Sequence, residues 1–92
     1  MTDAERMRLF EQGVLAIEKL KREVPNFPPF ISIHNQLLFL YDQAAGQPRD
    51  AAFLAAINLG ELAVREVETG NPEAAELFYR AANEAEKMLQ GA

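Results

Sequence analysis

The amino-acid sequence predicts an all-α fold, a compact antiparallel four-helix bundle whose third helix, about 51–69, is central. Three observations predict it. Apolar residues recur at three- and four-residue spacing through four stretches, about 2–23, 29–45, 51–69 and 72–90. Between these stretches stand residues that stop or start helices: Pro25, then Gly46 with Pro48, then Gly70 with Asn71-Pro72. Nowhere do apolar and polar residues alternate with period two for long, which removes the strand reading. Amphipathic helices joined by short connections pack as antiparallel neighbours.

Thr2 and Glu5 have the spacing of a capping box, the threonine at N-cap and the glutamate at N3. The first helix then runs to about Glu23, with Leu9, Phe10, Gly13, Val14, Ile17 and Leu20 inward and Arg8, Glu11, Glu18, Lys19 and Arg22 outward. Pro25 stops it, because the residue before a proline is pushed out of the helical region. The segment Val24 to Phe30 is proline-rich and reads as a stiff connector with Phe27 and Phe30 tucked under the core. Its length is that of an ordinary interhelical loop, which favours this over a polyproline recognition motif. The second helix, from about Pro29 to Ala45, carries proline in its first turn and turns Phe30, Ile33, Leu37, Leu40 and Ala44 inward. Phe39 falls on the opposite side, in line with Ser32, Asn35 and Gln43. An aromatic there is covered by a second neighbour or kept for a partner.

Asp50 is a good N-cap for the third helix. There Phe53, Ile57, Gly60, Val64 and Val67 form one apolar stripe, widened by alanines and leucines on both sides. Only Asn58, Glu61, Arg65 and Glu68, with Leu54 at the start, are left as an outward strip. A helix apolar over most of its girth is buried by several neighbours. Gly60 costs about 1 kcal/mol against alanine in a helix interior, so a close helix contact is expected there. Gly70 ends the helix and Asn71-Pro72 starts the fourth, with Ala74, Phe78, Ala81, Ala85 and Met88 inward. Glu73, Glu76, Arg80, Asn83, Glu84 and Lys87 are expected to face water.

Composition bounds the function. The chain of 92 residues is long enough for one domain, 1–92, and 49% hydrophobic with 25% charged residues is globular rather than disordered. There are no cysteines for disulfides or thiolate zinc sites. No apolar run approaches the ~18 residues of a membrane span, and the charged N-terminal stretch lacks a signal-peptide core, so a cytoplasmic protein is expected. A net charge of −5 argues against nucleic acid and suits a basic protein partner.

The residues offer no catalytic set. His34 is the only histidine and Ser32 the only serine, and two residues apart on one helix they do not face each other. No spacing suggests a metal site, and the scattered glycines make no phosphate loop. Glu61, Glu66 and Glu68 are read as a solvated face rather than as acid–base groups. The expectation is a protein that is not an enzyme and needs no cofactor or metal. The last helix is similar to half of a tetratricopeptide repeat, but a 34-residue step back reaches Leu38, inside the second helix, where no matching pattern occurs.

A second likeness covers most of the chain. It is carried by the Pro25-to-Phe30 connector, the stretch from Ser32 to Gln36-Leu37, Arg49-Asp50, the block Asn58-Leu59-Gly60 to Ala63-Val64-Arg65-Glu66, and Asn71-Pro72-Glu73. These features resemble the small helical immunity proteins of type VI secretion, specifically the family that neutralises NAD(P)+-glycohydrolase effector toxins. The resemblance implies a cytosolic, non-enzymatic protein that binds the catalytic domain of a cognate effector toxin and obstructs its active site. The outward strips then supply the candidate toxin-binding residues: Phe39 and Leu54 as apolar anchors, with Asn58, Glu61 and Arg65 around them. From Glu61 to Ala92 seven acids face three bases, so most of the negative charge lies in the second half. The alternatives are a tetratricopeptide-like adaptor that binds peptides and a small structural or regulatory protein that works by self-association.

Overall fold

The Thr2 hydroxyl accepts the Glu5 backbone N–H at 3.2 Å while the Glu5 carboxylate accepts the Thr2 N–H at 2.9 Å, so the first helix starts at the expected capping box. The computed structural model describes residues 1–91. Its helices are α1 (Asp3–Glu23), α2 (Pro28–Ala44), α3 (Ala51–Ala55), α4 (Leu59–Glu66) and α5 (Pro72–Gln90). The fold is all-helical, and no strand occurs among the described residues.

Antiparallel packing follows from the pairings. Gly13 lies against Leu37 and Lys21 against His34, so α2 climbs as α1 descends. Arg6 meets Glu84 near one end of the α1–α5 contact, and Leu20 shares a cleft with Asn71 at the other. Gly60 faces Ala82 and Glu68 meets Tyr79 between α4 and α5, and Gln36 meets Asn58 between α2 and α4. The helices thus form a ring, α1–α2–α4–α5, around a core whose largest fully buried side chains are Phe10, Phe78, Ile17, Ile33, Leu37, Leu40 and Leu59. The short α3 lies against α5. In the connector, Phe27 and Phe30 stack edge to face with centroids 4.9 Å apart, Phe30 buried and Phe27 half-buried, as expected of a loop tucked under the core.

The third helical stretch differs from the sequence expectation. It is not one central helix over 51–69 but two segments, broken at Ala56 to Asn58. The reason is phase. Leu54 and Leu59 are both buried, at 3% and 0% exposure, yet five residues apart on a continuous helix they would point about 140° away from each other. The break resets the phase, so that Leu54 and the row Leu59, Leu62, Ala63 and Val67 all reach the core. Two residues of the expected inward stripe are turned out as a result: Phe53 is 61% and Val64 54% exposed. Neither segment is the centre, since α4 is one member of the ring.

The close helix contact also moves. A Cβ on Gly60 would meet only the Ala82 methyl at an ordinary 3.6 Å, whereas a Cβ on Gly13 would lie 2.9 Å from Leu37 Cδ2. Gly13 is the residue whose missing side chain makes room for Leu37. At the end of α2, Gly46 takes a φ of 119°, a conformation open to glycine and strained for other residues. The turn that follows folds back on Gln43, which is buried rather than outward: its Nε2 donates to the Pro48 carbonyl and its Oε1 accepts from the Asp50 N–H, each at 3.0 Å. The Arg49 guanidinium donates to the Gln43 carbonyl as well.

Candidate functional site

The two side chains most suggestive of chemistry are held apart. The Ser32 hydroxyl accepts from Gln36 Nε2 at 3.0 Å, on the flank of α2 that faces α4. His34 lies on the α1 side, its Nδ1 2.9 Å from Lys21 Nζ. Burial holds the His34 pKa below its ordinary value and the Lys21 charge lowers it further. With an ammonium donating to Nδ1, the ring is neutral and carries its proton on Nε2. Among the described residues, no group of three His, Cys, Asp or Glu is placed to hold a metal ion. Among the described residues, no helix is long and apolar enough to cross a membrane.

The surface that stands out spans α2, α3 and the first turns of α4. The rings of Phe39 and Phe53 pack with centroids 5.1 Å apart and planes tilted by 32°. Phe39 is half-buried under Phe53, which is itself mostly in solvent. Beside this pair, Gln36 Nε2 donates to Asn58 Oδ1 at 2.7 Å and Gln36 Oε1 accepts the Asn58 backbone N–H at 3.0 Å. These two hydrogen bonds pin the chain break to α2. Asn58, Glu61 and Arg65 follow at helical spacing along the α2-side edge of α4, and all three are exposed.

Of the residues singled out from sequence, Phe39, Asn58, Glu61 and Arg65 therefore lie on accessible or half-accessible surface. Leu54 does not. It is 3% exposed and faces the core, because the break rotates α3 relative to α4. Its neighbour Phe53, assigned to the core by the uninterrupted helix pattern, is the exposed apolar side chain instead. Phe53 and Gln36, which adjoin these candidates, are not singled out by the sequence pattern. A signal for the break was present: Asn58 followed three residues later by Glu61 is an N-cap followed by an acid at N3.

The charges are arranged unevenly. A chain of ion pairs runs from Arg49 through Asp3 and Arg6 to Glu84 and Lys87, with contacts of 3.4, 3.3, 3.0 and 3.0 Å. Glu84, expected to face water, is buried between Arg6 and Lys87. Burial by itself would raise its pKa, but the hydrogen bonds from Arg6 and Lys87 outweigh it and hold the carboxyl below its ordinary value. Glu61 and Glu86 take part in no ion pair among the described residues, and both are exposed.

Comparison with known proteins agrees with this architecture. The Tsi6 family model matches residues 5–87. The chain is also similar to the structure of Tsi6 from Pseudomonas aeruginosa, with a TM-score of 0.81 at 19% identity, covering 92% of this chain and 85% of that one. At that identity the structural match speaks for the fold. A comparison with curated proteins gives no match. With the family model spanning nearly the whole ring of helices, the chain belongs to the Tsi6 family, the immunity proteins of type VI secretion, which bind and neutralise a type VI effector.

Proposed function

We propose that this chain binds the catalytic domain of a cognate effector that hydrolyses NAD(P)+ and that it works by obstructing the effector's active site. Membership of the immunity family carries the reading. The NAD(P)+ specificity rests on the sequence features from the Pro25-to-Phe30 connector to Asn71-Pro72-Glu73. Inhibition by obstruction needs a rigid scaffold and a complementary surface, not catalytic groups, so the protein itself is no enzyme. Because NAD(P)+ is consumed in the cytoplasm, protection is exerted there.

The binding surface is assigned to the Phe39–Phe53 pair and the adjoining edge of Asn58, Glu61 and Arg65. An exposed aromatic with polar groups along one edge suits an interface anchor with part of its rim. A pocket that accepts a dinucleotide is electropositive where phosphates sit, and a protein of net charge −5 is steered towards it. Leu54 is omitted from the surface because it is core.

The test is an enzyme assay. The effector's toxin domain is incubated with NAD+ alone and with an equimolar amount of this protein. Suppression of NAD+ consumption is expected, with no consumption by this protein on its own. Undiminished consumption at a stoichiometric excess refutes the reading.

A further inference from the structure

On the far side of α3 from Phe39 lies a groove of about 250 Å³ between α3 and the second half of α5. Its floor is apolar, built from Leu54, Ile57, Ala82 and Leu89. Its rim carries Asn83 and Glu86, three residues apart on α5 and therefore neighbours on the helix surface. The volume lies below the ~300–1,000 Å³ usual for small-molecule sites, so the groove suits a single side chain. Glu86 is exposed and forms no ion pair among the described residues; the nearby Lys87 ammonium is engaged by Glu84 at 3.0 Å.

We propose that this groove receives an arginine side chain of the effector, with its methylene stem on the apolar floor and its guanidinium between the Glu86 carboxylate and the Asn83 amide oxygen. The proposal rests on the immunity reading for the identity of the partner. An apolar floor with one unpaired carboxylate at its edge complements a side chain that is apolar along its length and cationic at its tip. Arginine fits better than lysine. Two acceptors at one rim match a planar, multi-donor head, and a guanidinium is shed from water more readily than an ammonium. A neutral aliphatic side chain would cover the floor and leave Glu86 unpaired beneath the partner.

The groove can be tested without the effector. The full chain, labelled with 15N, is titrated by NMR with N-acetyl-arginine amide and, in parallel, with the norleucine and glutamate analogues. Selective shifts at residues 54–57 and 82–86 with the arginine compound, lost at least five-fold in Glu86→Gln, are expected. Equal shifts with norleucine, or no change in Glu86→Gln, overturn the proposal, as does the absence of shifts at the groove. The second arm uses the effector toxin domain. Glu86→Lys is expected to weaken binding at least ten-fold with an unchanged melting temperature. Wild-type binding with Glu86→Lys unimpaired overturns the arginine anchor alone, whereas no binding by the wild type overturns the immunity reading.

Discussion

The Gln36 carboxamide holds Asn58 by two hydrogen bonds: its Nε2 donates to Asn58 Oδ1 at 2.7 Å and its Oε1 accepts the Asn58 backbone N–H at 3.0 Å. This pair supplies a partner for a backbone group that the interrupted helix leaves free. It also occupies the Asn58 side chain, which would otherwise cap α4 and makes no capping bond of its own.

Removing either member loosens the break. Gln36→Ala and Asn58→Ala are each expected to lower stability by about 1 kcal/mol, the usual net value of such hydrogen bonds. In a double-mutant cycle by urea unfolding, the coupling between them should be about 0.5–1 kcal/mol. Strict additivity refutes a direct interaction.

Two glycines give opposite predictions. Gly13→Ala places a methyl 2.9 Å from Leu37 Cδ2, so the Leu37 side chain, which is fully buried, must shift. Overpacking of about 1–3 kcal/mol outweighs the helix-propensity gain of about 1 kcal/mol, so the midpoint should fall. Gly60→Ala meets only the Ala82 methyl at 3.6 Å and should raise stability by about 0.5–1 kcal/mol. Thermal melts of the two variants settle both, and a Gly13→Ala protein more stable than wild type contradicts the tight α1–α2 contact.

Glu84 ties folding to acid. Its carboxyl binds a proton less readily folded than unfolded, so protonation favours the unfolded chain. Its contribution is complete above the unfolded carboxylate value of about 4.3 and is lost as pH falls through the lower folded value. Glu84→Gln should therefore be less stable than wild type by about 1–3 kcal/mol at pH 7, with the gap narrowing towards pH 3. Urea midpoints at the two pH values measure it; a gap that stays constant refutes the ion pairing with Arg6 and Lys87.

Adjacent residues of α3 separate binding from folding. Leu54→Ala should destabilise the protein by about 2–5 kcal/mol, as expected of a buried leucine. Phe53→Ala, on a side chain that is 61% exposed, should change stability by under about 1 kcal/mol and weaken effector affinity at least about ten-fold. The reverse pattern, measured by calorimetry and thermal melting, returns the face to the orientation first read from the sequence.

Local signals are legible in the sequence. The Thr2–Glu5 box, the Asp50 cap and the Asn71-Pro72 start all depend on residues within three positions of one another, and each forms its expected bond. The inward rows of α1, α2 and α5 were legible for the same reason, since one amphipathic period runs through each. The third stretch is not legible in the same way, because its alanines supply apolar character on every side and leave the phase undetermined. Glu84 looked like any surface glutamate, and its burial depends on Arg6, 78 residues away in sequence. Gln36 likewise owes its role to Asn58, which the fold brings to it from 22 residues away. Of the candidate face, Asn58, Glu61 and Arg65 were visible as a strip, while the exchange of Leu54 for Phe53 followed from the break.

A five-residue helix closes too few backbone bonds to sustain itself, so α3 persists through the Asp50 cap and its seat on α5. Its amides are therefore expected to exchange with solvent deuterium by local opening, before those of the ring α1–α2–α4–α5. For a partner seated on Phe53 as proposed, the protection of residues 51–56 in the complex would gauge how firmly it is held.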